Sequence, residues 1–422
     1  MNIGDYIEVK TAKESFKGIL MPESTNNYLV LKLNSGYNIG IDKKKIKLKK
    51  VLKKQSTKKE KKLKITNKKS LSKISILHTG GTIASKVDYE TGGVIAKFTP
   101  SEILETYPEL SHLANIDTRL IRNMQSESLR FEHYNLIARE ILKEVKKKVK
   151  GIIITHGTDT LHYTAAALAL ILDKVNIPII LVGSQRSSDR GSSDAYLNLY
   201  CATKFIAKSN FKGVAICMHS NSSDDSCDIL PSLKSRKMHT SRRDAFKPIN
   251  SEVLATVSKE GKVQSFFNKK EVPGTMNAKF IKKDLKIGIL KSHTCLFPED
   301  FLHFKNHDGL IIEGTGLGHV PAKSFDPISK INDKNKKAIE TLAKKIPVVM
   351  TSQCIFGRVN MNIYSPQREL LEIGIIPGSD MTTETAFLKL AWLLSNNKKK
   401  ARELIQKDLK GEINPRIKNE FL

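Results

Sequence analysis

The sequence predicts a small SH3-like β-barrel followed by a two-domain α/β body. Three observations carry that expectation. Residues 3–48 hold short apolar segments separated by turn residues, the pattern of a small barrel. Residues 43–70 carry fifteen lysines against the single acid Glu60. From residue 73 onward, apolar strand-like runs alternate with helical patterns, the signature of βαβ units around a parallel sheet.

The elements follow in order. Barrel strands are expected around Ile7-Glu8-Val9, over 16–20, over 28–33, and over 37–41 after a turn at Asn34-Ser35-Gly36. The barrel domain is assigned to 1–50 and a lysine-rich, self-repelling linker to 51–72. The first α/β domain is assigned to 73–270. Strands are expected at 74–77, 151–155, 177–182 and 213–218. Helices are expected at 100–107, 131–148, 162–173 and 194–207; Pro100 suits the first helical position. The continuous apolar run Ile152-Ile153-Ile154 is what a strand covered on both faces needs. Residues 260–285 read as a polar connection. A second α/β domain, 286–422, is expected to hold strands at 286–290, 309–312 and 347–350. It closes with a helix over 382–395 that places Phe387, Leu390, Ala391 and Leu394 on one face.

Composition bounds the function. The longest apolar run, near 165–172, is too short to cross a bilayer. The start lacks the basic-then-apolar pattern of a signal peptide, so a cytoplasmic protein is expected. Five scattered cysteines without a CxxC pair argue for reduced thiols and against a zinc site, and no metal is assigned. The net charge is +28, and residues 43–70 supply half of it, which favours an anionic partner.

Chemistry concentrates at two strand ends. Thr79-Gly80-Gly81-Thr82 follows the first strand of the body, and Gly157-Thr158-Asp159-Thr160 follows the second. Paired glycines permit a sharp turn and close approach of a ligand. Open α/β sheets bind ligands at the carboxyl ends of their strands, so the two turns converge hydroxyls on one crevice. A third segment, Ser235-Arg236-Lys237-Met238-His239-Thr240-Ser241, offers a lysine that can act as a base if desolvated. Two threonines, Asp159 and Lys237 make a nucleophile-plus-base set. His156 reads as a packed structural residue.

Thr79-Gly80-Gly81-Thr82-Ile83-Ala84 and His156-Gly157-Thr158-Asp159-Thr160 resemble the two signature motifs of the bacterial-type L-asparaginase family. Gly183-Ser184-Gln185-Arg186, with Asp194 and Asn198 beyond, resembles the segment that follows. The resemblance covers 73–422 and implies an asparaginase-like α/β body. It implies Thr82 as the nucleophile on a side-chain amide carbon, with Thr158, Asp159 and Lys237 as the proton-relaying set. Tyr89 corresponds to the lid tyrosine. Ser126 and Glu127 correspond to the pair that holds the substrate's α-carboxylate and α-amino groups. The backbone N–H groups of Thr158 and Ser184 are implied as oxyanion donors. In the turn 313–319, Leu317 stands where many members carry a polar residue.

The N-terminal barrel and lysine linker are absent from free-standing asparaginases. With them, the whole chain resembles the D-subunit family of archaeal glutamyl-tRNA(Gln) amidotransferases. That resemblance implies hydrolysis of glutamine and delivery of ammonia to the amidotransferase's E-subunit. The partner would use ATP and magnesium to amidate glutamate esterified to tRNA(Gln), while this chain binds no cofactor itself. It also implies a homodimer core within a heterotetramer, with no membrane association. The alternative is a catabolic L-asparaginase with an appended domain. A non-enzymatic RNA-binding or scaffold protein on a disabled amidohydrolase fold is a third reading; the four retained site residues count against it.

Overall fold

Period-two patterning builds the N-terminal unit. The computed structural model describes residues 3–21, 27–34, 38–54, 70–81, 83, 85–87, 94–96, 107–187, 192–268 and 271–417. Tyr6–Thr11, Ser15–Met21, Tyr28–Leu33 and Asn38–Asp42 form an antiparallel meander. Ile46–Lys53 returns to pair with Tyr6–Thr11 at its open edge. Alternate residues Ile7, Val9, Leu20, Leu29, Leu31 and Ile41 point inward and make one small core. Five strands curled about a single core give the expected SH3-like unit, with two β-bulges bending its last strand.

The body begins with an eight-stranded sheet. Its parallel part runs in the order Asn115–Leu120, Lys73–His78, Gly151–Thr155, Pro178–Val182 and Gly213–His219. Every residue of Gly151–Thr155 and Pro178–Val182 is buried. Ile152 and Ile154 face the layer built by helices Phe131–Lys146, Leu161–Ile171 and Thr383–Asn396, while Ile153 faces helix Ala195–Lys208. Both faces are thus covered, as the apolar runs require.

Several elements differ from the sequence expectation. Asn115–Leu120 is an unforeseen edge strand whose polar alternate residues carry little apolar signal. Ser226–Pro231, Ala255–Ser258 and Val263–Ser265 extend the sheet antiparallel, so it is mixed. The segment read as a connection therefore contains two short strands, Val263–Ser265 and Asn277–Ala278. The helix expected over 162–173 stops at Ile171, where Leu172–Asp173 pairs with Asn277–Ala278. The turn residues 35–36, most of the helix expected over 100–107, and linker residues 55–69 lie outside the described residues.

The C-terminal unit is a four-stranded parallel sheet of Ile287–Lys291, Gly309–Gly314, Val348–Ser352 and Ile375–Pro377 in chain order; the last strand was not foreseen. Helix Thr383–Asn396 is capped by the Thr382 hydroxyl. Its expected single apolar face is instead one side of an enclosed helix, because Leu388, Trp392 and Leu393 are buried too. It packs on helix Leu161–Ile171, and its Phe387 stacks on Phe131 of helix Phe131–Lys146 at 5.6 Å, so the two α/β units share one core.

Candidate active site

Two glycine turns bring the strand ends together. Gly80 and Gly81 have φ of +107° and +88°, a region that favours glycine. A Cβ on Gly81 would lie 2.4 Å from Gly157 N, and one on Gly80 would lie 2.4 Å from Met124 O. Backbone thus packs on backbone with no room for a side chain. The Thr79 hydroxyl is buried and donates to Thr155 O at 2.9 Å, which leaves it no part at the crevice surface. Thr82, next after half-buried Gly81, and Tyr89, between Ser85–Val87 and Val94–Ala96 in the sequence, lie outside the described residues. Ile83, just after Thr82, is fully buried in the core.

The second turn is a 3-10 turn, Thr158–Thr160. A Cβ on Gly157 would meet Ser126 Cβ and Oγ at 2.8 and 2.9 Å, so Ser126 sits directly beside this turn. Thr160 Oγ1 fastens it there by donating to Ser126 O at 2.7 Å. Ser126 is buried and Glu127 exposed.

Lys237 comes from a two-stranded ladder, Ser235–Lys237 against Phe246–Pro248, in which it lies opposite buried Phe246. Its Nζ donates to Thr158 Oγ1 and to Asp159 Oδ1, both at 2.8 Å. The lysine side chain is 10 % exposed and that of Asp159 is 70 % exposed, so the pair spans the boundary between protein and solvent. One amine touching a buried hydroxyl and a solvated carboxylate can pass a proton between them.

The third wall is the loop after Pro178–Val182. The Ser184 hydroxyl donates to Asp194 Oδ1, and Gln185 N and Arg186 N donate to the same carboxylate. Asn198 adds a fourth donor from the helix. Buried Asp194 therefore shapes the backbone from Ser184 to Arg186; sequence reasoning noted it without giving it this work. Gln185 Oε1 faces Thr158 Oγ1 at 3.5 Å, and its buried Nε2 has no partner among the described residues.

Beneath the crevice lie neutral imidazoles. His78 pairs with Thr155 Oγ1 at 2.7 Å, and His156 bridges Gly157 O and Thr164 Oγ1. Burial lowers both to about 4. His162 is lowered to about 3, by burial first and then by the nearby cations Arg236 and Lys237. His156 is thus a packing residue.

The lysine ladder is clasped to the C-terminal unit by three successive links the sequence did not announce. Leu233 O accepts from Thr385 Oγ1 at 2.8 Å. Lys234 Nζ donates to Asp380 Oδ2 at 2.7 Å. Arg236 Nε lies 3.0 Å from Glu384 Oε1. Asn414, near the described C-terminus, also donates to Asp380.

This sheet, with two Gly-Thr strand ends and a lysine across them, defines the asparaginase class of α/β amidohydrolases. Family models agree: "Asparaginase, N-terminal" matches 73–271, "Glutaminase/Asparaginase C-terminal domain" matches 286–407, and "GatD N-terminal domain" matches 1–51. The thermostable L-asparaginase from Thermococcus kodakarensis is 30 % identical with a TM-score of 0.70. All of that chain is covered, but only 82 % of this one. L-asparaginase I from Vibrio cholerae, 24 % identical with a TM-score of 0.69, shares the fold. Over the full length, the chain is 40 % identical to the glutamyl-tRNA(Gln) amidotransferase D-subunit of Pyrococcus furiosus, covering 100 % of this chain and 97 % of that one. It is 41 % identical to the D-subunit of Methanococcus maripaludis, with 99 % of each covered. The chain belongs to the D-subunit family of glutamyl-tRNA(Gln) amidotransferases.

Proposed function

We propose that this chain is the glutaminase subunit of a tRNA-dependent amidotransferase. The observation that carries the reading is coverage. The Thermococcus asparaginase is matched over its whole length yet leaves part of this chain unmatched, whereas the D-subunit relatives match it from end to end. The N-terminal unit is what a free-standing asparaginase lacks.

The proposed chemistry uses the site as built. Thr82 Oγ attacks the side-chain amide carbon of glutamine. Its proton passes into the Thr158–Lys237 pair, with Asp159 holding the lysine. The developing oxyanion is met by backbone N–H groups of Thr158 and Ser184, whose loop Asp194 holds in shape. The proton returns to the departing nitrogen, ammonia leaves, and water then splits the γ-glutamyl ester on Thr82 to release glutamate. Ser126 and Glu127 grip the α-carboxylate and α-amino groups, and Tyr89 closes over bound substrate. The ammonia goes to the E-subunit, where ATP and magnesium act on Glu-tRNA(Gln). A homodimer core in a cytoplasmic heterotetramer completes the reading.

The test replaces Thr82 with Ala in the chain assembled with its partner. Glutamine-dependent amidation of Glu-tRNA(Gln) should disappear while free ammonium still supports it. Unchanged glutamine use would remove Thr82 from the mechanism. Full, partner-independent asparagine turnover by the unaltered chain would favour a catabolic asparaginase.

A further inference from the structure

The last strand of the N-terminal unit has a composition that its fold does not require. Residues 43–54 read Lys-Lys-Lys-Ile-Lys-Leu-Lys-Lys-Val-Leu-Lys-Lys, eight lysines without one acid. Only Ile46 and Val51 pack against the small core. Leu48 and Leu52 are 47 % and 42 % exposed. Lys44, Lys45, Lys47, Lys49, Lys50, Lys53 and Lys54 are exposed, and none of these seven has a carboxylate partner among the described residues. The nearby acids are otherwise engaged. Asp42 caps the turn by accepting from Lys44 N at 2.9 Å. Glu8 takes Ser15 at 3.2 Å and Lys17 at 3.7 Å.

One or two lysines suffice to stop an edge strand from pairing with another chain. Seven ammonium groups with no carboxylate partner among the described residues repel one another, which disfavours the compact state unless an outside anion neutralises them. Alternate residues on a strand stand roughly 6.6 Å apart, so Lys47, Lys49 and Lys53 space cations along strand Ile46–Lys53, with Lys50 between them, Lys44 and Lys45 in the turn before and Lys54 just after, a ribbon suited to a chain of anions. The alternation of apolar and cationic side chains adds flat aliphatic stems beside the charges.

We propose that residues 43–54 form a surface that holds the phosphodiester backbone of RNA, which in the reaction proposed above is the tRNA. The inference rests on that reading for its choice of RNA over an acidic protein. Phosphate contacts of this kind position a nucleic acid without reading its sequence. The surface therefore fastens the tRNA-bearing assembly and leaves discrimination between tRNAs to other groups.

The test measures binding of tRNA to the full chain across a potassium chloride series. One variant carries Lys45→Gln, Lys47→Gln, Lys49→Gln, Lys50→Gln and Lys53→Gln. A control removes the same charge from the exposed side of helix Ile331–Lys345 and the turn before it: Lys330→Gln, Lys334→Gln, Lys337→Gln, Lys344→Gln and Lys345→Gln. Each lost phosphate contact flattens the slope of log K against log salt by about 0.7 to 0.9. The strand variant should lose roughly three slope units or more and bind on the order of tenfold to hundredfold more weakly at low salt, while the control changes little. Equal loss in both variants, or no loss in the strand variant, would overturn the proposal. So would poly-L-glutamate displacing the RNA as well as unlabelled tRNA does at equal charge, a result that would point to an acidic protein. Ammonia release from glutamine, measured on the same preparations, should be the same in the strand variant and the unaltered chain. Its absence from the unaltered chain and its assembly would sink the functional reading and leave the binding comparison standing on its own.

Discussion

Lys234→Met tests how the lysine ladder is held. Lys234 and Asp380 are 3 % and 1 % exposed at their side chains and 2.7 Å apart. Burial lowers the lysine's pKa from its ordinary value, and the Asp380 carboxylate opposes that shift. Methionine fills the same volume but leaves the buried carboxylate only the distant guanidinium of Arg358, at 3.9 Å, as a counter-charge. Breaking a buried pair from one side costs about 3–5 kcal/mol. Asp380 keeps two donors from Asn414, which places the expectation near about 3 kcal/mol. The only tryptophan, Trp392, sits in the enclosed helix Thr383–Asn396 and donates to Lys279 O at 3.0 Å, so its fluorescence in urea reports unfolding at this junction. The midpoint should fall sharply. Adding Asp380→Asn removes the stranded charge and should restore a large part of the loss. At low urea the single variant should keep its KM for glutamine and lose kcat, because the clasp orients Lys237 and does not touch substrate. A loss under about 1 kcal/mol, or a double variant no more stable than the single one, would refute the reasoning.

Two further outcomes follow from the same structure. Gly81→Ala should lower ammonia release by orders of magnitude while far-UV circular dichroism changes little, because its Cβ would push on Gly157 N and part the two strand ends; near-normal turnover would show that the turns need not touch. Stability should fall as the pH drops from 6.5 toward 4. His78, His156 and His162 have the ordinary value of 6.5 when unfolded, but are held neutral in the fold to about 4, 4 and 3. The unfolded chain then binds protons that the folded chain refuses, with a slope that peaks below roughly 4 kcal/mol per pH unit for the three together near the middle of that window and is smaller at its ends. A flat urea midpoint across that range would contradict the assignment.

The parts of the fold that could be read from sequence are those whose signal is local. Ile152-Ile153-Ile154 and the glycine turns show themselves because a doubly covered strand and a tight turn each restrict which residues fit. Asn115–Leu120 stayed hidden because an edge strand need bury only one face, and its Asp117 and Arg119 look like loop residues. Ser226–Pro231 and Ala255–Ser258 are short, and antiparallel additions carry no crossover helix to announce them. At the site, Thr158, Asp159 and Lys237 were named from residue type and motif, but their contacts join positions about eighty residues apart. Spacing along the chain says nothing about such a meeting. The Lys234–Asp380 link, across 146 positions, was further out of reach for the same reason.

The clasp also sets an order of events during synthesis. Asp380, Glu384, Thr385 and Asn414, which anchor the lysine ladder, leave the ribosome well after the ladder and both strand ends. A nascent chain that has already built both Gly-Thr strand ends still lacks the anchors that aim Lys237. On the proposed chemistry, unfinished or C-terminally truncated chains cannot release ammonia efficiently. On that chemistry, a diffusible, reactive product is withheld until the chain has been made at least as far as Asn414.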